Sequence, residues 1–228
     1  MKSSCSHCVV LAVLGALACT GCGPEAGSLL YYFDPGKKVE PRFVLTKGPL
    51  LVMLEDRDGW LSNPQARDEL LAEIERQFRQ HNVNTRLIDP TRLRRLKAES
   101  PDFESMSVSR VGRELGAEQV LYLFVEKFNL RSPDAGEGAQ PVYKGDYAVN
   151  VRVVNARPDD PRDPSEVSLW PGTPGKGETF EVVEPLAVSE EAGFADELSK
   201  KLAGRLGRKV ARCFYEYRIT PDSRIEED

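Results

Sequence analysis

The sequence predicts an α/β chain, more strictly α+β, in which a single mixed β-sheet is packed by helices in the order β-α-β-α-α-β-β-β-β-α. Three stretches carry that expectation. The first, residues 118–154, holds two apolar strand-like runs separated by a loop. In EQVLYLFVEKFNLR, Val120, Tyr122, Phe124, Phe128 and Leu130 fall on one face at period two and Leu121, Leu123 and Val125 on the other, so this strand is covered on both sides. In VYKGDYAVNVRVV, Tyr143, Tyr147, Val149, Val151 and Val153 share a face while Lys144, Asp146, Asn150 and Arg152 share the opposite one, the mark of a half-solvated antiparallel neighbour. The second stretch, PLLVMLED followed by an amphipathic run and VNTRLI, reads as a βαβ unit. In the third, Phe194, Leu198, Leu202, Leu206, Val210 and Phe214 recur every four residues, with Ala195, Ala203 and Cys213 beside them. That is a long helix, opened by Ser189-Glu190-Glu191, which must cover one sheet face.

At 228 residues and 40% hydrophobic content the chain is long enough for one well-buried domain. A formal charge of -5, with Lys and Arg scattered among acids, gives no general attraction to nucleic acid. Cys5, Cys8, Cys19 and Cys22 repeat a CxxC spacing, but the residues between the pairs are apolar and offer no platform for a metal knuckle. No metal and no cofactor are expected.

Four segments follow: 1–18 a signal peptide, 19–47 a lipidated tether, 48–219 a single α/β domain and 220–228 a polar tail. Lys2 precedes VVLAVLGALA at residues 9–18, an apolar run of the length of a signal-peptide core and too short to span a bilayer. The next residues, ALACTGCG, resemble the lipobox of bacterial lipoproteins, whose cysteine is acylated and becomes the new N-terminus. Cys19 is the expected lipid attachment site, after Ala16, Leu17 and Ala18; Cys22, after Thr20 and Gly21, is the alternative. Secretion as a soluble protein cut after Ala18 is the competing reading. Neither cysteine is followed by Asp, which by the same resemblance places the protein at the outer membrane, facing the periplasm. Residues 23–47 read as a tether, ordered from about Phe43 onward, in which the Leu29-Leu30-Tyr31-Tyr32-Phe33 run suits either a headgroup layer or the domain surface.

Within the domain, PLLVMLED is a buried first strand ending in the charged turn Glu55-Asp56-Arg57-Asp58-Gly59. Asn63-Pro64 opens a helix, with the amide as cap and the proline at the first helical position. Leu70, Leu71, Ile74 and Phe78 line its apolar stripe; Arg67, Glu69, Glu73 and Arg79 face water. Asn82 is its left-handed stop and residues 83–88 the second strand. Asp89-Pro90 repeats the cap signal before a short helix with Leu93 and Leu96 inward and Arg92, Arg94, Arg95 and Lys97 outward, a solvated face with the charge to meet anionic lipid or an acidic partner. Ser107 caps a third helix through Val108, Val111 and Leu115, ended by Gly116. After the Pro/Asp-rich loop NARPDDPRDPSE come a strand at residues 167–171 and an edge strand at 179–183.

PLLVMLED with the helix at 65–80, the segment VGRELGAEQVLYLFVEKFNL, and YAVNVRVVNA with the later SLWP together resemble the curli-secretion lipoprotein, the N-terminal domain of the Tol-system propeller protein and related small lipoproteins of unknown function. In these a helix ending in LGA feeds a strand, and a later strand ends in a tight turn before a Trp. Here Asn155-Ala156 stands where Asp-Ala would be, and residues 157–165 replace the Thr-Gly turn. The likeness spans about residues 49–170 and implies fold more than function. The 131–141 loop is too short and polar for the long hairpins with which the curli channel lines its barrel, so pore formation is disfavoured.

Chemistry-bearing residues are few. His81, the one histidine left after export, falls in the last turn of a helix, where a cation meets the dipole favourably. Glu55, Asp56 and Asp58 cluster at a strand end, where α/β sheets place sites, though acids in a Gly-containing turn are ordinary turn residues. Cys213 reads as a buried free thiol, ahead of a disulfide to Cys22. Motifs of nucleotide-binding, zinc-protease and serine-hydrolase type are missing from the sequence. The expected function is therefore a non-catalytic, membrane-anchored envelope component that binds an envelope protein or itself, with no catalytic residues. The alternative is a carrier or sensor holding a small apolar ligand or lipid between the sheet and the C-terminal helix. A hydrolase using Glu55, Asp56 and Asp58 requires those carboxylates to converge on a pocket.

Overall fold

The computed structural model describes residues 37–61, 63–83, 86–130, 142–163, 167–173, 176–188 and 193–219. The signal segment, Cys19, Cys22, the aromatic run at 29–33, the loop at 131–141, the helix opening at Ser189, Glu190 and Glu191, and the tail at 220–228 lie outside them.

The chain divides into two units. In the smaller, β1 (Lys37–Val39) pairs antiparallel with β8 (Tyr217–Ile219), Lys38 opposite Arg218. The larger spans Glu40–Glu216 and holds a six-stranded mixed sheet: β2 (Pro49–Glu55), β3 (Arg86–Leu87), β4 (Gln119–Asn129), β5 (Val142–Asn155), β6 (Ser168–Trp170) and β7 (Glu178–Val188). β2 runs parallel to β3 and β4; β5 is antiparallel to β4; β6 and β7 both pair antiparallel with β5. With the helices α1 (Pro64–Gln80), α2 (Pro90–Glu99), α3 (Val108–Glu114) and α4 (Phe194–Ala211), the predicted order is the observed one. Short 3₁₀ turns at Phe103–Ser105 and Arg212–Phe214 interrupt it.

Local chemistry sets the helix ends. Asn63 accepts from the Gln65 amide at 2.8 Å ahead of Pro64, Asp89 from the Thr91 amide at 2.8 Å ahead of Pro90, and Ser107 from the Arg110 amide at 3.2 Å. Asn82, at φ 50°, stops α1 and Gly116, at φ 79°, turns the chain from α3 into β4. The two parallel pairings follow from βαβ crossovers through α1 and through α2 and α3.

One sheet face packs Leu51, Met53, Val120, Tyr122 and Val154 against Phe103, Val111 and Leu115, with Leu93 and Leu96 of α2 at its margin. The opposite face carries Leu121, Leu123, Val149, Val151 and Val153, all fully buried, beneath α1 and α4. Phe128 belongs to this second face, not to that of Val120 and Tyr122 as strict alternation predicts. The register shifts between Val125 and Lys127, which sets Phe128 opposite Tyr147 with their rings edge-to-face at 5.0 Å.

A second departure concerns Glu73, expected in water and found 1% exposed. α4 crosses α1 there. Gly207 comes so close that a Cβ on it would lie 2.8 Å from that of Glu73, and the Glu73 carboxylate is met by Arg76, by Gln77 Nε2 at 2.8 Å and by Arg208 at 3.7 Å. α1 thus buries two faces, one on the sheet and one on α4.

Candidate functional site: a two-arginine groove

Register alone assembles the most chemically distinctive surface among the described residues. The parallel pairing sets Met53 beside Tyr122 and Glu55 beside Phe124; the antiparallel pairing sets Arg152 beside Tyr122 and Asn150 beside Phe124. Because paired residues share a face, Glu55, Tyr122, Phe124, Asn150 and Arg152 all project from the same side of the sheet, toward the carboxyl ends of the parallel strands β2 and β4.

The side chains are interlocked. Arg57 Nε donates to Glu55 Oε1 at 2.6 Å, and the Tyr122 hydroxyl donates to Glu55 Oε2. Burial pushes the Glu55 carboxyl up, but the hydrogen bonds from Arg57 and Tyr122 outweigh it and hold the group below the ordinary carboxylate range. Burial, together with the bond to Glu55, pushes the Tyr122 phenol up to about 12. The Arg152 guanidinium carbon lies 4.9 Å from the centre of the Tyr122 ring, a cation-π contact, while its Nε is buried with no hydrogen-bond partner.

Two concavities flank this cluster. A groove of about 500 Å³ runs over Tyr122, Phe124, Asn150 and Arg152 to Lys176 and Gly177, and a recess of about 220 Å³ reaches from Glu55 to Phe103, Met106 and Val111. A Cβ on Gly177 would overlap the end of the Asn150 side chain, so a larger residue there would displace that amide within the groove.

The structure separates the acids that the sequence grouped. Glu55 joins the groove cluster, whereas Asp56 closes the following turn, accepting from the amides of Trp60 and Leu61 at 2.9 Å each, and Asp58 is exposed. Among the described residues no three of His, Cys, Asp and Glu are grouped as metal ligands. His81 caps α1, but its ring stacks on Tyr215 at 3.8 Å, and burial, with Arg212 nearby, lowers its pKa. The favoured form is neutral, which corrects the expectation of a cation at the dipole. Cys213 is buried and free, its thiol pushed up by burial to about 11. The exposed basic residues of α2 lie outside the groove, and two are engaged: Arg95 with Glu99 at 2.8 Å and Lys97 with Glu104 at 3.0 Å.

Sequence reading missed Arg152 and Tyr122 as partners. It placed both correctly by parity, one on an apolar face and one on a polar face, but periodicity does not say that these are one face of two paired strands.

No protein-family model matches the chain, and no curated protein matches it. Similar solved structures include lipoprotein GNA1162 from Neisseria meningitidis, 12% identical with a TM-score of 0.38 over 71% of this chain and 98% of that one. A minor lipoprotein from Acinetobacter baumannii is 10% identical, TM-score 0.38, over 74% and 92%. The PelC dodecamer from Paraburkholderia phytofirmans is 12% identical, TM-score 0.35, over 78% and 96%. Lipoproteins recur among these structures, though at such scores the likenesses are too distant to carry any inference about this chain. The narrower likeness to the curli-secretion and Tol-system proteins rests on the sequence motifs.

Proposed function

We propose that this chain is a membrane-anchored envelope lipoprotein acting as a non-catalytic binding or assembly component, held at the outer membrane through Cys19, with Cys22 as the alternative acceptor. The observation that carries the binding role is the groove: an arginine with a buried donor left unpaired, set on an aromatic floor, is built to receive a partner group rather than to stabilise the fold. Its titratable neighbours are poor proton shuttles. Glu55 is held ionised and Tyr122 protonated on either side of neutral pH, where general acid-base catalysis needs a group that exchanges its proton.

The carrier alternative is weaker on this structure. Where it requires an apolar chamber between sheet and C-terminal helix, that seam is occupied by Leu198, Leu202, Leu206 and Val210, all at or below 8% exposure, and Leu202 lies against Gly145 of β5. A photo-crosslinker at position 176, on the groove rim, tests the binding role in intact cells. A single envelope protein is expected to be captured from position 176 and not from position 92 on α2. Equal capture from both, or from neither, would end the reading.

A further inference from the structure

We propose that the groove on β4 and β5 binds a carboxylate side chain carried on a segment of a partner protein, with Arg152 as the residue that reads it. The inference rests on the binding role above and adds the chemistry of what is bound.

Arg152 is held in an uncommon state. Its neighbours across the strands are Tyr122 and, through the ring, Glu55; but the Glu55 carboxylate is already shared between Arg57 and the Tyr122 hydroxyl. The guanidinium therefore packs on the phenol ring at 4.9 Å without an ion pair among the described residues, and its Nε is shielded from water with its hydrogen bond unmade. A buried donor left unsatisfied is costly, and a turn of the guanidinium toward the groove, where an oxyanion can accept from it, removes that cost on binding. Guanidinium groups match carboxylates in two parallel bonds, and the Tyr122 ring fixes the plane in which that fork lies.

Charge selects the anion. Arg152 and Lys176 attract it, and Arg57 lies at the same end; Glu55 and Glu126 oppose it. A carboxylate carries one negative charge, whereas a phosphate approaching its second ionisation carries two into a groove that Glu126 also lines. The open groove, floored by Tyr122 and Phe124, leaves room for a protein segment to turn an acidic side chain toward Arg152.

The test uses the full mature protein in non-ionic micelles, observing the Arg152 Nε-H resonance, assigned by its loss in Arg152→Lys. Three probes are titrated: a blocked five-residue peptide with one central glutamate, its glutamine counterpart, and inorganic phosphate. The glutamate peptide is expected to shift the resonance saturably and to bind at least about tenfold more tightly than either other probe. Arg152→Lys keeps the charge but loses the fork and, with affinities of all variants read by isothermal titration calorimetry, is expected to weaken the peptide about tenfold; Arg92→Gln, on α2, is expected to leave it unchanged. Retained affinity in Arg152→Lys, tighter binding of phosphate than of peptide, or an equal loss in Arg92→Gln would each overturn the proposal. The crosslink from position 176 separates the two levels: a captured partner with no carboxylate preference sinks this inference alone, and no captured partner sinks the binding role itself.

Discussion

At His81 the helix terminus would favour a positive charge, yet burial against Tyr215 and the nearby Arg212 oppose it. Unfolding exposes the ring and returns its pKa to about 6.5. Since the folded value is lower, the unfolded chain binds more protons between the two. The contribution is present above about 6.5 and is lost as pH falls from there through the folded pKa. Thermal midpoints compared at pH 7.5 and 5 should drop for the native protein and drop less for His81→Gln; identical drops would show that His81 is not the group responsible. Glu184 has the opposite chemistry and the same sign. It is buried between β7 and α4, paired with Lys201 at 2.9 Å and with Arg205; burial raises its pKa, and the two cations more than offset this and lower it. Its stabilisation is present above about 4.5 and is lost as pH falls through the lowered folded value. Glu184→Gln should cost about 1.5–3 kcal/mol at pH 7 in urea unfolding, from loss of charged hydrogen bonds, and the difference should shrink toward pH 3.

The helices and strands were legible where a local signal fixes them. Asn63-Pro64, Asp89-Pro90 and Ser107 cap helices because capping is decided within three residues. Other features depend on residues far apart in sequence. The bulge that moves Phe128 across the sheet depends on β5, the burial of Glu73 on α4, and the groove on the register of β2, β4 and β5. The β1 strand, in a stretch that reads as tether, depends on a partner about 180 residues away, and no local pattern announces it. The α1 and α4 crossing offers a contrast between two glycines one turn apart. A Cβ at Gly207 would meet Glu73 Cβ at 2.8 Å and the Leu70 carbonyl at 3.0 Å, so Gly207→Ala should destabilise by about 1–3 kcal/mol as the helices are forced apart. At Gly204 the nearest atoms are 3.9 Å away, and Gly204→Ala should stabilise by up to about 1 kcal/mol through helix propensity. Paired urea titrations check this; equal effects at both sites would mean that backbone propensity, not the crossing, sets them.

For the whole molecule, the proposed membrane anchor is what makes the sharpest prediction. Among the described residues no helix is long and apolar enough to cross one. The net charge of -5 gives no general attraction to anionic headgroups. On the proposed reading attachment is through the lipobox-like ALACTGCG, and the covalent chemistry makes a prediction that peripheral adsorption does not. Several acyl chains on one cysteine contribute about 0.8 kcal/mol per buried CH₂, so the native protein should stay with membranes through a high-salt wash. Replacing both Cys19 and Cys22 with Ser removes every acceptor in that region and leaves the apolar core at 9–18 unchanged. The double variant should then be soluble, or remain as an uncleaved precursor held by its signal segment, and in neither form take up labelled fatty acid. The single variants assign the site, since only loss of the true acceptor abolishes labelling, and Cys19→Ser is expected to be that one. Cys213 provides an internal control: it is buried, its thiol is pushed up to about 11, and it should take no label in any variant. A double variant still processed to mature size and still labelled would mean that neither lipobox cysteine is the acceptor and that the lipobox reading is wrong.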